Sequence, residues 1–392
     1  MFDSNIFVKS HMLSLRHYAN NSRVLTITKK ASEIDSLRDF DSFRSLVVQL
    51  KEHELNEGGT FGTNRLASES LFYGHLKALV EYAGLDYSDR YRLIFPNIEH
   101  GIGWLQRVPN NVNQPFVHCA IAQGGYRKKT ICSLRRGMPL YTVGPYIHYA
   151  AQYYSDSAIE EIKARLGRTL LVFPAHTYEL SDVTYGKERF VDTVMQKWAC
   201  SFDSVLVSAY WHDADDEVFS LFDKAGARVV SSGLREDPLF ISRLKTLITL
   251  SDAVAGNALG THIGYCDYLN KPFYMIDGDA AVIADTGNAF KSEEERQLDE
   301  VLRIASDIYK AGGDGARRLE FYRRYWGGSD AIKTPEEIRC MIGISEDVLR
   351  LSHGAVAEFV QVTGALLEEA SREESHEGIM RYRLLSQAME RD

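Results

Sequence analysis

At 392 residues, with 45 % hydrophobic and 25 % charged residues, the chain has a globular composition and is too long for one ordinary core, so two domains are expected. A net charge of -9 argues against nucleic acid as the partner, because phosphate backbones are bound by clustered basic surface. Five cysteines without a CxxC pair point to a reducing compartment, with neither a zinc site nor a disulfide frame.

No run approaches the ~18 apolar residues of a membrane span, and the first residues lack a signal-peptide core, so the expected location is the cytoplasm. In chain order, apolar spacing predicts a strand over 23–27 and a helix over 43–55, with Phe43, Leu46, Val47 and Leu50 on one side. The Gly-rich link EGGTFGTN leads to a helix over 68–83. Short strands follow at 92–95, 116–122 and 140–143, with the basic segment 126–136 before the last. A second, cleaner series starts near residue 156: helices over 158–166, 188–200, 216–225 and 239–250 alternate with strands over 169–173, 204–209 and 227–231. The stretch 250–277 then reads as strand, small-residue turn, short helix and closing strand over 272–276. Beyond 285 the pattern is helical, over 293–310, 316–326, 335–340 and 346 to about 374. This alternation predicts an α/β fold with mainly parallel sheets, divided into an N-terminal domain 1–155, a second domain 156–310 and C-terminal helices 311–392 packing back.

Strands of the second series end in the polar loops PAHTYE, SAYWHD, SSGLRED and AGNALGTH. In open parallel sheets ligands bind beyond the carboxyl ends of the strands, so these loops should share one crevice. Gly256, Gly260 and Gly264 let backbone approach a ligand, while Asn257, Thr261 and His262 offer polar side chains where a helix begins. A helix start carries unpaired N–H groups, which would favour a nucleotide diphosphate. His176 is a candidate hydrogen-bond donor to the nucleotide's phosphate or a structural histidine, Thr177 and Glu179 are candidates for ribose or base, and Ser231, Ser232 and Gly233 suit a nucleotide contact by hydroxyl and backbone. A turn that only packs helix on sheet would use the same glycines, and Arg235 reads by default as the partner of Glu236 or Asp237. The run HDADDE, 212–217, reads as carboxylates favouring a helix start, and no metal site is expected. No GxGxxG after a strand, no GxxxxGK[ST] and no GxSxG occurs, which removes the simplest dehydrogenase, P-loop and α/β-hydrolase readings.

Two doubly wound halves followed by helices that cross back resemble the GT-B class of glycosyltransferases, whose two Rossmann-like halves face a central cleft. Glu99-His100-Gly101-Ile102-Gly103 resembles the His-Gly loop of the capsule, teichoic-acid and lipopolysaccharide transferases that include the CDP-glycerol glycerophosphotransferases. Ser251-Asp252-Ala253-Val254 through Lys271-Pro272-Phe273-Tyr274 resembles that family's Ser-Asp, small-residue turn and Lys/Arg-Pro strand. Where the family has Asp-Tyr-Ser-Ser, this chain has Ala255-Gly256-Asn257-Ala258. The resemblance implies a metal-independent transferase, without a cofactor, that moves a sugar or polyol phosphate from a nucleotide-sugar donor to a bacterial surface polysaccharide or lipid-linked glycan acceptor.

His100 is then the candidate base for the acceptor hydroxyl, Glu99 is an alternative base or the carboxylate orienting the imidazole, and Gly101 and Gly103 line the acceptor side. Arg127, Lys128, Lys129, Arg135 and Arg136 suit anionic lipid heads, which would add peripheral association at the inner membrane face; a solvated helix has the same composition. Two other readings remain open here. An epimerase of the nucleotide-sugar 2-epimerase type would convert its substrate without an acceptor, and a silent glycan-binding or assembly partner would be indifferent to His100→Ala.

Overall fold

The computed structural model describes residues 22–57, 69–88, 96–105, 119–134, 140–176, 181–276, 281–284, 293–310 and 313–352. Strands β1 (Asn97–Ile98), β2 (Ala120–Ala122) and β3 (Leu140–Thr142) form a parallel sheet in that order. The second series supplies β4 (Thr169–Phe173), β5 (Ser181–Thr184), β6 (Ser204–Ala209), β7 (Arg228–Ser231), β8 (Ala253–Gly256), β9 (Phe273–Met275) and β10 (Ala281–Ala284). Five of these make an all-parallel sheet in the order β7-β6-β4-β8-β9. The chain therefore winds outward from β4 in one direction, then restarts at β8 and winds the other way. Strands β5 and β10 pair antiparallel in a ribbon that the sequence pattern does not suggest.

The helices are α1 (Ser22–Glu33), α2 (Phe40–Glu57), α3 (His75–Tyr82), α4 (Gly125–Leu134), α5 (Asp156–Leu166) and α6 (Lys187–Thr193). They continue with α7 (Glu217–Lys224), α8 (Phe240–Leu250), α9 (His262–Tyr268), α10 (Glu293–Tyr309), α11 (Gly315–Trp326) and α12 (Pro335–Ser352). Several begin at side-chain caps: Ser155 Oγ accepts from Ala158 N at 3.3 Å before α5, and Asp216 Oδ1 accepts from Val218 N at 2.8 Å before α7.

Side chains along the central strands alternate between the two faces of the five-stranded sheet. Leu170, Val172, Val205, Val207, Ala253 and Ala255 share one apolar cluster with Phe43, Val47 and Leu50 of α2 and Phe222 of α7. Leu171, Leu206, Val254 and Phe273 share the other with Leu247 and Ile248 of α8 and Ile263 of α9. Covering on both faces is why these strands are apolar throughout. The second cluster runs on without a break into Ile98, Ile121 and Val143 of the three-stranded sheet.

Residues 23–27 are helical, which corrects the expected strand. Ile27 and Ala31, one turn apart, are both buried in the cluster with α2 and the five-stranded sheet, and that packing outweighs the β-branched pattern. Ser36 fastens the link that follows: Ser231 N donates to Ser36 O at 3.1 Å, and Ser36 Oγ donates to Ser231 O at 2.7 Å. Residues 22–57 thus cover the second sheet although they precede the first.

The helix expected over 68–83 is broken. Its start is the 3₁₀ stretch Glu69–Gly74, where Tyr73 and Gly74 take left-handed backbone at φ 60° and 70°, and α3 begins at His75. Residues 92–95 and 116–118 lie outside the described residues, and β1 starts just past Pro96. The helices expected over 335–340 and from 346 are one, α12, as far as Ser352; the remainder lies outside the described residues.

Helix α11 ends in a wedge between the two sheets. Trp326 is fully buried, its ring occupies the place a Cβ on Gly264 of α9 would take, and its Nε1 donates to Thr261 O at 3.2 Å. The Tyr325 carbonyl likewise occupies the Cβ position of Gly124, just after β2. Among the described residues no helix is long and apolar enough to cross a membrane, and Cys119, Cys200, Cys266 and Cys340 are free thiols.

Candidate functional site

The loop after β1 is built around one guanidinium. Arg127 of α4 donates Nε and Nη2 to Glu99 Oε1 at 2.8 and 2.5 Å, and Nη1 to Leu105 O at 2.7 Å. A Cβ on Gly103 would stand 2.6 Å from that guanidinium, so glycine lets the loop wrap it. Tyr126 Oη adds a bond to Trp104 O at 2.9 Å. Two expectations are corrected here. Glu99 is a buried carboxylate held by Arg127, which makes it an anchor for the loop, withdrawn from the exposed tip where an acceptor would bind. Arg127 is 1 % exposed, so it is withdrawn from any contact with lipid heads; Arg135 and Arg136 lie outside the described residues.

His100 is exposed at the tip of this loop, with Tyr73 stacked on it at 5.9 Å and 30° and Phe72 edge-on at 5.9 Å. The next residues touch the other sheet's loops. Ile102 N donates to Thr261 Oγ1 at 3.3 Å, and a Cβ on Gly101 would lie 3.3 Å from the same hydroxyl. Thr261 has helical backbone and makes no side-chain cap to α9, which is only seven residues long. Its hydroxyl therefore links two loops, a different task from greeting a phosphate at a helix start.

His262 folds back over Gly260, where a Cβ would meet its ring at 2.5 Å, and stacks on Phe173 at 4.3 Å and 20°. The side chain is half-buried, yet Nε2 is sealed from solvent and has no hydrogen-bond partner among the described residues. Burial pushes the imidazole down to about 3, with His176 adding to the shift, so it is neutral at physiological pH. Asn257 spans the point where the winding reverses: its Oδ1 accepts from Ala175 N at 2.7 Å, joining the loops after β8 and β4. Its Nδ2 is sealed and unpartnered among the described residues.

Stacked rings continue the line. His176 lies on Tyr210 at 4.1 Å and 27°, and the Tyr210 hydroxyl is 3.3 Å from that of Tyr73. His100, Tyr73, Tyr210 and His176 thus form a chain from the loop after β1 across the loops after β6 and β4, and His262 of the loop after β8 is near enough for the His176 charge to act on it. Thr177 and Glu179 lie outside the described residues.

The Ser-Ser-Gly turn has internal work. Ser231 Oγ donates to Ala209 O at 3.0 Å and accepts from Gly233 N at 3.1 Å, which removes it from ligand contact. Gly233, at φ 102°, leaves room for the buried Arg243–Asp237 pair, where a Cβ would stand 2.7 Å from Arg243 Nη1. Ser232 Oγ is sealed and unpartnered among the described residues. Arg235 Nε bonds Glu236 Oε1 at 2.6 Å, the pairing the sequence suggests. In the run 212–217, Asp216 caps α7 and holds Lys187 at 2.9 Å, again a helix start.

The Ser-Asp and Lys-Pro residues sit at the opposite edge of the sheet. Lys271 Nζ donates to Ser251 O at 2.5 Å and Thr249 O at 3.1 Å, and Asp252 Oδ2 accepts from Thr169 N at 2.8 Å. They tie the starts of β4, β8 and β9 to the end of α8. A cavity of about 180 Å³ bordered by Leu37, Arg38, Tyr154, Arg228 and Leu250 lies at this edge too, away from the ring chain.

Sequence reading missed Tyr73, Tyr210 and His75, and it gave Arg127 a lipid contact in place of the Glu99 pair. His75 is 3 % exposed against Tyr146, its ring centroid 4.5 Å away, and burial with the nearby His100 pushes it down to about 3. Only Gly74, directly after Tyr73, carried a hint, as a break in a helical pattern. No protein-family model matches the chain, and comparison with curated proteins gives no significant match.

Proposed function

We propose that the chain is a metal-independent transferase of GT-B type, two Rossmann-like halves facing a cleft, that moves a sugar or polyol phosphate from a nucleotide-activated donor to a bacterial surface polysaccharide or lipid-linked glycan. The observation that carries this reading is the contact of Gly101 and Ile102 with Thr261, a strand-end loop of one parallel sheet against a strand-end loop of the other beside the β4–β8 reversal. In such a crevice the donor nucleotide belongs to the second sheet and the acceptor to the first. His100 takes the proton of the acceptor hydroxyl as its oxygen bonds the donor's reacting centre and the bond to the nucleotide's phosphate oxygen breaks. Asn257 Nδ2 and Nε2 of the neutral His262, both dry and without a partner among the described residues, are the groups held for that leaving group.

A thermal-shift panel of UDP-, GDP-, CMP- and CDP-activated donors tests the reading, since a ligand at 100 times its dissociation constant adds roughly 2.7 kcal/mol. A shift with one of them, and nucleotide release only when acceptor is added, supports it. No shift with any sinks the nucleotide site, and conversion of a nucleotide sugar without acceptor replaces the transferase by an epimerase. His100→Ala should lose turnover and keep the nucleotide shift.

A further inference from the structure

Among the described residues, Tyr73 and Asn270 are the non-glycine residues with positive φ. Asn270 directly follows Leu269, the C-cap of α9, a position where asparagine tolerates left-handed backbone. Tyr73, at φ 60°, has no such excuse: a bulky residue in that region is an outlier, and outliers of this kind collect at functional sites.

Neighbours over-determine the conformation. Tyr73 N donates to Arg235 O at 2.5 Å, and Gly74, also left-handed, has the Pro238 carbonyl where a Cβ would stand. Phe72 lies under the Arg235 guanidinium at 4.5 Å. Residues 72–74 are thus clamped to 235–238, the loop between β7 and α8. What the strained backbone delivers is the ring: its face lies over His100, its edge meets Phe240 at 4.9 Å, and its hydroxyl is 3.3 Å from that of Tyr210.

We infer that Tyr73 is a positioning residue for His100: its ring fixes the plane of the exposed imidazole, and its clamp on residues 235–238 registers that imidazole against the five-stranded sheet's loops. This rests on the transferase reading, in which His100 must meet an acceptor held against a donor on the other sheet. A side chain that merely fills space would take an unstrained backbone. Here the left-handed turn aims the ring.

The test uses Tyr73→Gly and Tyr73→Asn, both tolerant of φ 60°, with Tyr73→Phe, which keeps the ring. Expected for Gly and Asn is a melting temperature within about 4 °C of wild type, a kcat lower by about tenfold to a hundredfold, and an unchanged donor KM. Tyr73→Phe should restore kcat to within about threefold of wild type, since mutants that keep the aligned group keep most of its effect. A kcat that stays at wild type in Gly and Asn, a fall matched by collapse of the melting temperature in both, or no recovery in Phe overturns the inference. Should His100→Ala stay active, the transferase reading itself fails; should it be inactive while the Tyr73 variants match wild type, only this inference does.

Discussion

Arg127 grips Glu99 through Nε and Nη2, at 2.8 and 2.5 Å, with the two residues 1 % and 5 % exposed. A buried pair of this kind is costly to break from one side, because the survivor is left charged and dry. Arg127→Met and Glu99→Leu should each destabilise by about 3–5 kcal/mol in denaturant titration. The double variant should cost clearly less than the sum. Additive losses would mean that the two charges do not depend on each other.

Stability should fall with acidification in the window set by His75. Its folded-state pKa of about 3 lies below the ordinary imidazole value of 6.5, so below 6.5 the unfolded chain binds a proton that the fold refuses. The contribution is fully present above 6.5 and is lost as pH falls towards 3, at about 1.4 kcal/mol per pH unit. His75→Gln should flatten the stability curve between pH 6 and 4, roughly by that slope. An unchanged slope would show that His75 is protonated in the fold. His262, pushed down for the same reason, adds a second such contribution.

Gly264→Ala sets a methyl where the Trp326 ring lies. Overpacking of a fixed, fully buried ring should cost about 1–3 kcal/mol or more, and Trp326→Ala about 3–5 kcal/mol. In the Trp326→Ala background the alanine at 264 should be much better tolerated, as read by a double-mutant cycle. Zero coupling would refute the close approach of α9 and α11.

Asn257→Asp keeps an oxygen for Ala175 N–H and removes the donor at Nδ2. The new carboxyl oxygen is buried and unpaired, so stability should fall by at least about 1–3 kcal/mol, and affinity for the nucleotide that shifts the wild type should drop at least about tenfold, the range for a hydrogen bond to a charged group. Retained affinity would mean that the Nδ2 group faces a buried water and no ligand.

The second series was legible because each strand is apolar throughout and bounded by a polar loop, the pattern a doubly covered parallel sheet imposes. Strand Thr169–Phe173 falls where the spacing puts it, and the β6 and β7 strands within a residue. Local pattern failed where distant packing decided. Residues 23–27 look like a strand until α2 gives Ile27 and Ala31 one shared side, and residues 68–83 look like one helix until Pro238 forces the turn at Gly74. At the site, the convergence of strand-end loops followed from chain order alone. Glu99 and Arg127 are 28 positions apart, and nothing in a basic run tells which of its members will be swallowed. The Ser-Asp and Lys-Pro residues were visible for the same reason that they are uninformative about a ligand: they close backbone ends at the far edge of the sheet.

Helices α1 and α2 cover a sheet whose strands begin only at Thr169. During synthesis their apolar sides, with Phe43, Val47 and Leu50, emerge long before β4, β6 and β8 exist to receive them. At translation rates of about 5–20 residues per second, that interval is on the order of ten seconds. The nascent chain must therefore carry an unsheltered amphipathic pair past the ribosome exit, which marks residues 22–57 as the segment a chaperone would hold and as the part that a fragment starting at 156 would lack.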